Sequence, residues 1–222
     1  MPISGHSVAT NVQGIRSRIR GLYAVTPDWP DPERLSAAVS AAVRGGAGIV
    51  QIRSKQVDRH LQRAIAQAVF EACRRHGAIC LVNDDVELAV ELGADGVHLG
   101  ADDTAPGTAR ARLGPAAIIG VSCYDDFSRA QRWPEADYVA FGSVFVSRVK
   151  PTAVRAPLDL FGRARAAGLC SVAIGGIDRG NAARVFAAGA DAVAVISDLF
   201  EAPLEQIEQR AAEFTTLAAA AR

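Results

Sequence analysis

Short apolar segments alternate with longer amphipathic segments along the chain. The apolar segments are four to six residues long and carry Val, Ile, Leu and Ala at successive positions, which is typical of strands buried on both faces. Parallel strands of this kind need a helical crossover between neighbours, so the alternation indicates an α/β fold. Eight strands are predicted, at residues 21–26, 48–53, 78–82, 95–99, 117–122, 137–141, 171–174 and 191–195.

The segments between the predicted strands have the start and stop residues of helices. Asp31 can cap a helix, Pro32 suits the first helical position, and apolar residues follow at helical spacing as far as Gly45. A short amphipathic helix is predicted between Asp85 and Gly93. The other predicted helices cover residues 58–76, 104–113, 128–133, 158–167, 181–188 and 197–200, and a last one begins at residue 203.

Eight strand–helix units in 222 residues fit a single (β/α)8 TIM barrel. The phrases GGAGIVQI, LGADGVHL and AGADAVAV support this fold, because each repeats a helix end, a glycine turn and a strand. We expect residues 21–222 to form the barrel and residues 1–20 to form a flexible N-terminal arm. A doubly wound open sheet is the alternative fold. An organelle-targeting segment is the alternative for the arm, which has arginines but no acids.

The charge balance narrows the range of partners. Lys plus Arg and Asp plus Glu number 24 each, so the formal net charge is zero. That balance argues against a nucleic-acid partner and an anionic membrane surface, and no apolar run approaches the roughly 18 residues of a membrane span. The four cysteines are scattered without a Cys-x-x-Cys pair. They indicate reduced thiols, and we expect a cytoplasmic protein.

Two neighbouring predicted strands in the segment 82–103 each end in carboxylates, where α/β proteins build their sites. Asp84 and Asp103 suit Mg²⁺, which prefers oxygen ligands, needs few from protein and usually bridges to substrate phosphates. A helix cap is the alternative role of Asp84, and it is the role we expect for Asp85. Asp102 is expected to be a solvated acid or a helix cap.

Cations follow other predicted strands. Arg53, Lys55 and Lys150 come after buried strands, and together they suit a diphosphate, since Arg offers a bidentate fork and Lys a point charge. Surface ion pairs with nearby acids are the alternative for any one of them. Lys150 lies in a loop at residues 142–157 whose length marks it as a candidate active-site loop.

A second phosphate site is predicted after strands seven and eight. Gly175 and Gly176 follow one strand and Ser197 the other, which matches a phosphate site that recurs in this fold. Close packing alone could also require these glycines. His98 ends an apolar strand and suits a hydrogen-bonded structural histidine at least as well as a catalytic one. Two phosphate sites, one metal and no evident nucleophile suggest a protein that positions two phosphorylated substrates and stabilises a departing diphosphate.

From residue 22 to 202 the chain resembles the thiamine-phosphate synthase family. The segments that carry the resemblance are GGAGIVQIRSK, VNDDVELAVELGADGVHLGADD, IIGVS, ADYVAFGSVF, VAIGGI and AAGADAVAVIS. The resemblance implies a (β/α)8 barrel and a transferase that joins an aminopyrimidine diphosphate to a thiazole phosphate with release of pyrophosphate. It also implies that ionisation comes first, with Mg²⁺ and basic residues stabilising the pyrophosphate, before the thiazole nitrogen attacks the pyrimidine cation.

The resemblance assigns roles residue by residue. Gln51, Arg53, Lys55 and Asn83 match pyrimidine and diphosphate contacts, Asp84 and Asp103 match the Mg²⁺ ligands, Ser122 and Lys150 match further pyrophosphate contacts, and Gly176, Ile196 and Ser197 fall in the thiazole-phosphate pocket. Lys55, Ser122 and Lys150 are the candidate catalytic residues. Small-molecule substrates are the expected partners, and a homo-oligomer stays open.

Some positions depart from the family pattern. Ala101 stands where the family usually has Gln, and Tyr124 and Asp125 stand where it usually has His-Thr. In the long loop Ser147 keeps the first hydroxyl of a Pro-Thr-x-Thr-Lys pattern, whereas Val149 lacks the second. The alternatives to a synthase are a thiazole tautomerase-like isomerase, which uses a histidine after the GVS-type serine, and a non-catalytic thiamine-phosphate-binding paralogue.

Overall fold

The computed structural model describes residues 14, 17–55, 57–146 and 154–221. Among these residues, eight parallel strands close into a barrel in which each strand lies beside its neighbour in sequence. The strands are β1 Gly21–Val25, β2 Ile49–Ile52, β3 Ile79–Asn83, β4 Gly96–Leu99, β5 Ile118–Tyr124, β6 Tyr138–Phe141, β7 Ser171–Ile174 and β8 Ala192–Val195. The predicted barrel is confirmed, and pairing of Tyr23 in β1 with Ala194 in β8 excludes the open sheet.

Helices connect the strands at the positions that the sequence predicts. The helices of the described residues are α1 Pro32–Arg44, α2 Arg59–His76, α3 Val86–Leu92, α4 Pro106–Leu113, α5 Phe127–Arg132, α6 Asp159–Ala166, α7 Ala182–Ala187, α8 Ser197–Phe200 and α9 Leu204–Ala220. Most boundaries differ from the prediction by one or two residues. Strand β5 continues to Tyr124, beyond the predicted end at residue 122, and the last helix begins at Leu204 because Pro203 has extended backbone angles outside it.

Aspartate side chains fix where several helices begin. Asp31 accepts a hydrogen bond from Arg34 N at 3.0 Å, Asp58 from Leu61 N at 2.9 Å, and Asp85 from Leu88 N at 2.8 Å. These bonds satisfy N–H groups that have no partner inside the helix. The predicted capping role of Asp85 is confirmed.

The strands bury two separate apolar layers, because successive side chains of a strand point to opposite faces. The layer between strands and helices holds most of the aliphatic side chains, such as Val50 and Val97. The barrel interior holds a smaller cluster that includes Tyr23, Leu81 and Tyr138. Polar side chains at the carboxyl ends of the strands lie above this interior cluster, which places them at the rim where the loops meet.

Other predictions about the whole chain have mixed outcomes. None of the four cysteines forms a disulfide, and all are buried. Within the described ranges, no helix combines the length and apolar character that crossing a membrane would need. Most of residues 1–20 lie outside the described part of the chain, although Ile19 is fully buried against the barrel interior. The boundary between arm and barrel stays a prediction.

Candidate active site

Lys55, Asp84 and Asp103 form a charged cluster after strands β2, β3 and β4. Lys55 Nζ lies 3.0 Å from Asp84 Oδ2, and Asp103 Oδ2 accepts a hydrogen bond from Gly100 N at 2.7 Å. The side chains of Asp84 and Asp103 are hydrogen-bonded to each other. Two carboxyl groups in contact can share one proton or one cation, so this cluster has the chemistry of a cation site.

The two carboxyl groups differ in acidity. Burial raises the pKa of Asp84, and Asp103 raises it further, against the opposing effect of Lys55. Partial burial also acts to raise the pKa of Asp103, but hydrogen bonds from Asp84 and from the Gly100 N–H outweigh it and lower the pKa. Asp103 is therefore the ionised partner, and Asp84 is the one that gains most from a nearby positive charge.

The backbone at Asp84 has an uncommon conformation. Its φ of 64° lies in the left-handed region, which costs a non-glycine residue roughly 1 kcal/mol. A hydrogen bond from Asp84 N to His98 O, 2.9 Å long, holds this turn against β4. The turn places the Asp84 side chain next to Lys55 instead of at the start of α3, which Asp85 caps.

Asp28 holds the basic end of β2. Its Oδ2 lies 2.5 Å from Arg53 Nη1, and its Oδ1 accepts a hydrogen bond from Lys55 N at 2.8 Å. Arg53 N donates a hydrogen bond to Thr26 Oγ1 at 2.8 Å, and Thr26 Oγ1 donates one to Arg53 O at 3.0 Å. Asp28 follows β1 as the predicted residues follow their strands. Extending that rule to β1 would have found it.

Gln51, Asn83 and Ser122 face the upper barrel interior. Gln51 is 4% exposed and its Nε2 donates to Tyr23 OH at 2.7 Å. Asn83 pairs in register with His98 on the adjacent strand. Ser122 Oγ lies 2.9 Å from His98 Nε2, while His98 Nδ1 lies 3.0 Å from Tyr138 OH. Burial lowers the pKa of His98 to about 4, so the ring is neutral near pH 7 and acts as a hydrogen-bonded structural histidine.

Strand β5 ends in a distorted segment that carries one of the departures from the family pattern. Tyr124 has a φ of 55°, its side chain is exposed, and the pairing with β6 shifts between Ser122 and Tyr124. Arg129 of α5 stabilises this end, because its Nε donates to Ser122 O at 2.8 Å and its Nη2 to Gly100 O at 3.4 Å. Sequence reasoning missed Arg129, which looks like an ordinary exposed helix residue.

Gly175 and Gly176 after β7 lie against the segment that follows β6. Both have positive φ, and a Cβ atom would lie 2.2 Å from Ser143 Oγ at Gly175 and 2.4 Å from Val146 O at Gly176. Close packing therefore requires glycine at both positions. Ile196 and Ser197 stand at the adjacent end of β8, where α8 begins.

The family model described as thiamine monophosphate synthase matches residues 22–199. The chain belongs to this family. The thiamine-phosphate synthase of Chromobacterium violaceum is 54% identical over 187 residues, 83% of this chain and 90% of that protein. The one of Bordetella pertussis is 50% identical over 200 residues, 86% of this chain and 92% of that protein.

A solved structure gives the same family. The thiamine phosphate pyrophosphorylase from Pyrococcus furiosus has a TM-score of 0.80 and 30% sequence identity, and the match covers 93% of this chain and 98% of that one. The chain is thus a transferase of the thiamine-phosphate synthase family with the barrel of its relatives.

The predicted site residues of this synthase-family barrel fall into two groups. One group lies at the ends of the adjacent strands β2 to β5, or directly after them, and comprises Gln51, Arg53, Lys55, Asn83, Asp84, Asp103 and Ser122. The other follows β7 and β8 and comprises Gly176, Ile196 and Ser197. Ser147 and Lys150 lie outside the described residues, so their roles stay predictions. A cavity of about 440 Å³ opens beside Lys55, Asn83 and Asp84, within the usual size range of small-ligand sites.

Proposed function

We propose that this enzyme joins an aminopyrimidine diphosphate to a thiazole phosphate, giving thiamine phosphate and pyrophosphate. The observation that carries the proposal is the contact of Lys55, Asp84 and Asp103 at adjacent strand ends, in a chain half identical to thiamine-phosphate synthases. An ammonium group beside two carboxyl groups suits a metal-bound diphosphate, where each phosphate oxygen needs a positive neighbour.

Mg²⁺ is the metal that this cluster fits. No group of three or more His, Cys, Asp or Glu residues suited to a metal occurs among the described residues. Mg²⁺ needs no such cage, because it usually takes one or two protein carboxylates and completes its shell with water and substrate phosphates. Asp84 and Asp103 would be the two carboxylates. A bound Mg²⁺ would supply positive charge to stabilise the departing diphosphate.

The residues at the ends of β2, β3 and β5 would hold the first substrate. Lys55 and Arg53 supply positive charge to the diphosphate, and the Asp28 carboxylate holds the Arg53 guanidinium beside the rim. Ser122 supplies a hydroxyl from the barrel interior, and Gln51 and Asn83 supply amide groups that can orient the aminopyrimidine ring. Lys150, which lies outside the described residues, is a further predicted contact of the diphosphate.

The second group would hold the thiazole phosphate. Gly176 follows β7 and Ser197 begins the helix after β8, where backbone N–H groups and the Ser197 hydroxyl would bind a phosphate. With these roles the two substrates would lie on opposite sides of the barrel mouth. The thiazole nitrogen can then approach the pyrimidine carbon from the side away from the diphosphate.

The chemistry needs positioning and charge stabilisation more than a nucleophile from the protein. The carbon–oxygen bond to the diphosphate breaks with its electron pair passing to oxygen, and the thiazole nitrogen lone pair forms the new carbon–nitrogen bond. Lys55, Ser122 and Lys150 would stabilise the negative charge that develops on the leaving oxygen atoms.

The buried free cysteines support the expected cytoplasmic location, because the cytoplasm is a compartment where thiols stay reduced.

An assay with separate substrates tests this function. The purified protein should form thiamine phosphate from the pyrimidine diphosphate and the thiazole phosphate when Mg²⁺ is present, and form none in EDTA. Isomerisation of the thiazole without coupling would instead identify a tautomerase. Tight binding of thiamine phosphate with neither activity would identify a non-catalytic paralogue.

A further inference from the structure

A chain of buried hydrogen bonds crosses the barrel interior beneath the site. Gln51 Nε2 donates to Tyr23 OH at 2.7 Å, and Tyr23 OH lies 2.9 Å from Tyr138 OH. Tyr138 OH lies 3.0 Å from His98 Nδ1, and His98 Nε2 lies 2.9 Å from Ser122 Oγ. We call these five residues the interior chain. It connects Gln51 and Ser122, the two proposed substrate contacts that lie deepest in the barrel.

The hydrogen bonds of the interior chain run in one direction. The Gln51 amide nitrogen can only donate, so the Tyr23 oxygen accepts and the Tyr23 proton goes to Tyr138. The reverse orientation of the two phenols would leave the buried Tyr23 proton without an acceptor among the described residues. Tyr23 and Tyr138 are each 1% exposed, so water cannot supply that acceptor from bulk solvent.

The direction continues through His98 to Ser122. Tyr138 passes its proton toward His98 Nδ1, and a neutral imidazole that accepts at Nδ1 carries its own proton on Nε2. His98 Nε2 therefore donates to Ser122 Oγ. Ser122 Oγ accepts this hydrogen bond, so the proton of the Ser122 hydroxyl can be donated to another group.

Strand β5 has a glycine, Gly120, at the position where the Tyr138 side chain lies. A Cβ atom on Gly120 would lie 2.0 Å from Cζ of Tyr138 and 2.3 Å from its hydroxyl oxygen. Strand β5 thus has no side chain at the one interior position that the Tyr138 phenol fills. Burial raises the pKa of both phenols, Tyr23 and Tyr138, so both keep the protons that the chain needs.

We propose that Tyr23 and Tyr138 are positioning residues for the coupling reaction: Tyr23 fixes the Gln51 amide with its oxygen toward the substrate, and Tyr138, through His98, keeps Ser122 a donor. The proposal rests on the proposed function for the identity of that substrate. The Gln51 oxygen accepts from the amino group of the pyrimidine, and the Ser122 hydroxyl donates to a diphosphate oxygen. Both tyrosines would act through Gln51, His98 and Ser122.

Two substitutions separate the ends of the interior chain. Tyr23→Phe removes the acceptor of the Gln51 amide, so KM for the pyrimidine diphosphate should rise about tenfold, as expected for one hydrogen bond. Affinity for inorganic pyrophosphate with Mg²⁺, measured by calorimetry, should change less than twofold. Tyr138→Phe removes the hydroxyl that fixes the orientation and tautomer of His98, so Ser122 is no longer held as a donor, and both the KM for the pyrimidine diphosphate and the Kd for pyrophosphate should rise about tenfold.

Ser171→Ala is the matched control, because Ser171 is fully buried at the start of β7 and its hydroxyl has no hydrogen-bond partner in the described structure. It should leave both constants within twofold of the wild type, and KM for the thiazole phosphate should be unchanged in all three variants. A purely structural role would lower the melting temperature of the tyrosine variants and leave the ratio of the two substrate KM values constant. That result would overturn the proposal.

The calorimetric affinity for pyrophosphate tests the inference independently of the proposed function. If the wild type forms no thiamine phosphate, the proposed function fails, and pyrophosphate affinity still decides the inference. A selective loss in Tyr138→Phe supports the directed interior chain. Equal affinity in wild type, Tyr23→Phe and Tyr138→Phe contradicts it.

Discussion

Burial raises the pKa of Asp84, and the hydrogen-bonded Asp103 raises it further, so a cation beside the pair favours the ionised form of Asp84. Lys55 supplies one such charge at 3.0 Å. A divalent ion would supply more positive charge and would also attract the diphosphate. The burial and the Asp103 contact that make Asp84 hard to ionise alone would then favour it as a metal ligand.

Asp84→Asn tests this role. The substitution keeps the shape of the side chain and tolerates the left-handed backbone, but it removes the charge. We expect at least about a hundredfold loss of activity at saturating Mg²⁺, the order of effect seen when one charge-stabilising group is removed. The melting temperature should change by only a few degrees.

Asp85→Ala is the neighbouring control. It removes the cap of α3 and the ion pair with Arg59, so it should lower the free energy of unfolding by about 1 kcal/mol. Activity should persist below the melting transition. A folding defect in Asp84→Asn as large as that in Asp85→Ala would show that Asp84 is a structural residue.

His98 links stability to pH, because burial lowers its pKa from 6.5 to about 4. Below pH 6.5 the unfolded chain binds a proton that the folded protein does not take up until about pH 4. The His98 contribution is therefore fully present above pH 6.5 and is lost as the pH falls to about 4, by up to about 3 kcal/mol. Urea unfolding in EDTA at several pH values should show a flatter acid dependence for His98→Gln. An identical dependence would contradict the shift.

At the level of secondary structure, strand β5 depends on the absence of a side chain at Gly120. Gly120→Ala would drive a methyl group into the fully buried ring of Tyr138. We expect a loss of about 3 kcal/mol in the free energy of unfolding, at the upper end of overpacking costs.

Gly107→Ala provides the comparison at a half-buried position in helix α4. Its nearest neighbour would be Glu135 Oε1 at 3.6 Å, an ordinary contact, and alanine favours the helix α4. Denaturant unfolding should find this variant no less stable than the wild type. Equal losses in Gly107→Ala and Gly120→Ala would remove the steric argument.

The elements themselves were accessible from sequence, because apolar runs, glycine turns and aspartate caps are local features. Asp31, Asp58 and Asp85 begin their helices through contacts only three residues away. The interior chain was not accessible. Tyr23 and Tyr138 are 115 residues apart and look like ordinary core aromatic residues until the register of the closed barrel brings them together.

For the whole molecule, closure of the barrel turns scattered residues into a site. Lys55, Asp84 and Asp103 were predicted at the rim because each follows a strand, and the structure brings them into contact. Asp28 also follows a strand, and the same rule applied to β1 identifies it, although its contact with Arg53 appears only in the structure. Arg129 lies on a helix, and its role depends on contacts with the ends of β4 and β5 that local sequence does not indicate.

The central claim is that one rim couples two substrates with release of pyrophosphate, and product stoichiometry tests it most directly. Thiamine phosphate and pyrophosphate should be quantified in the same reaction with the purified protein, both substrates and Mg²⁺. We expect equal amounts of the two products with Mg²⁺ and neither product in EDTA. Pyrophosphate without thiamine phosphate, or no product at high enzyme concentration, would contradict it.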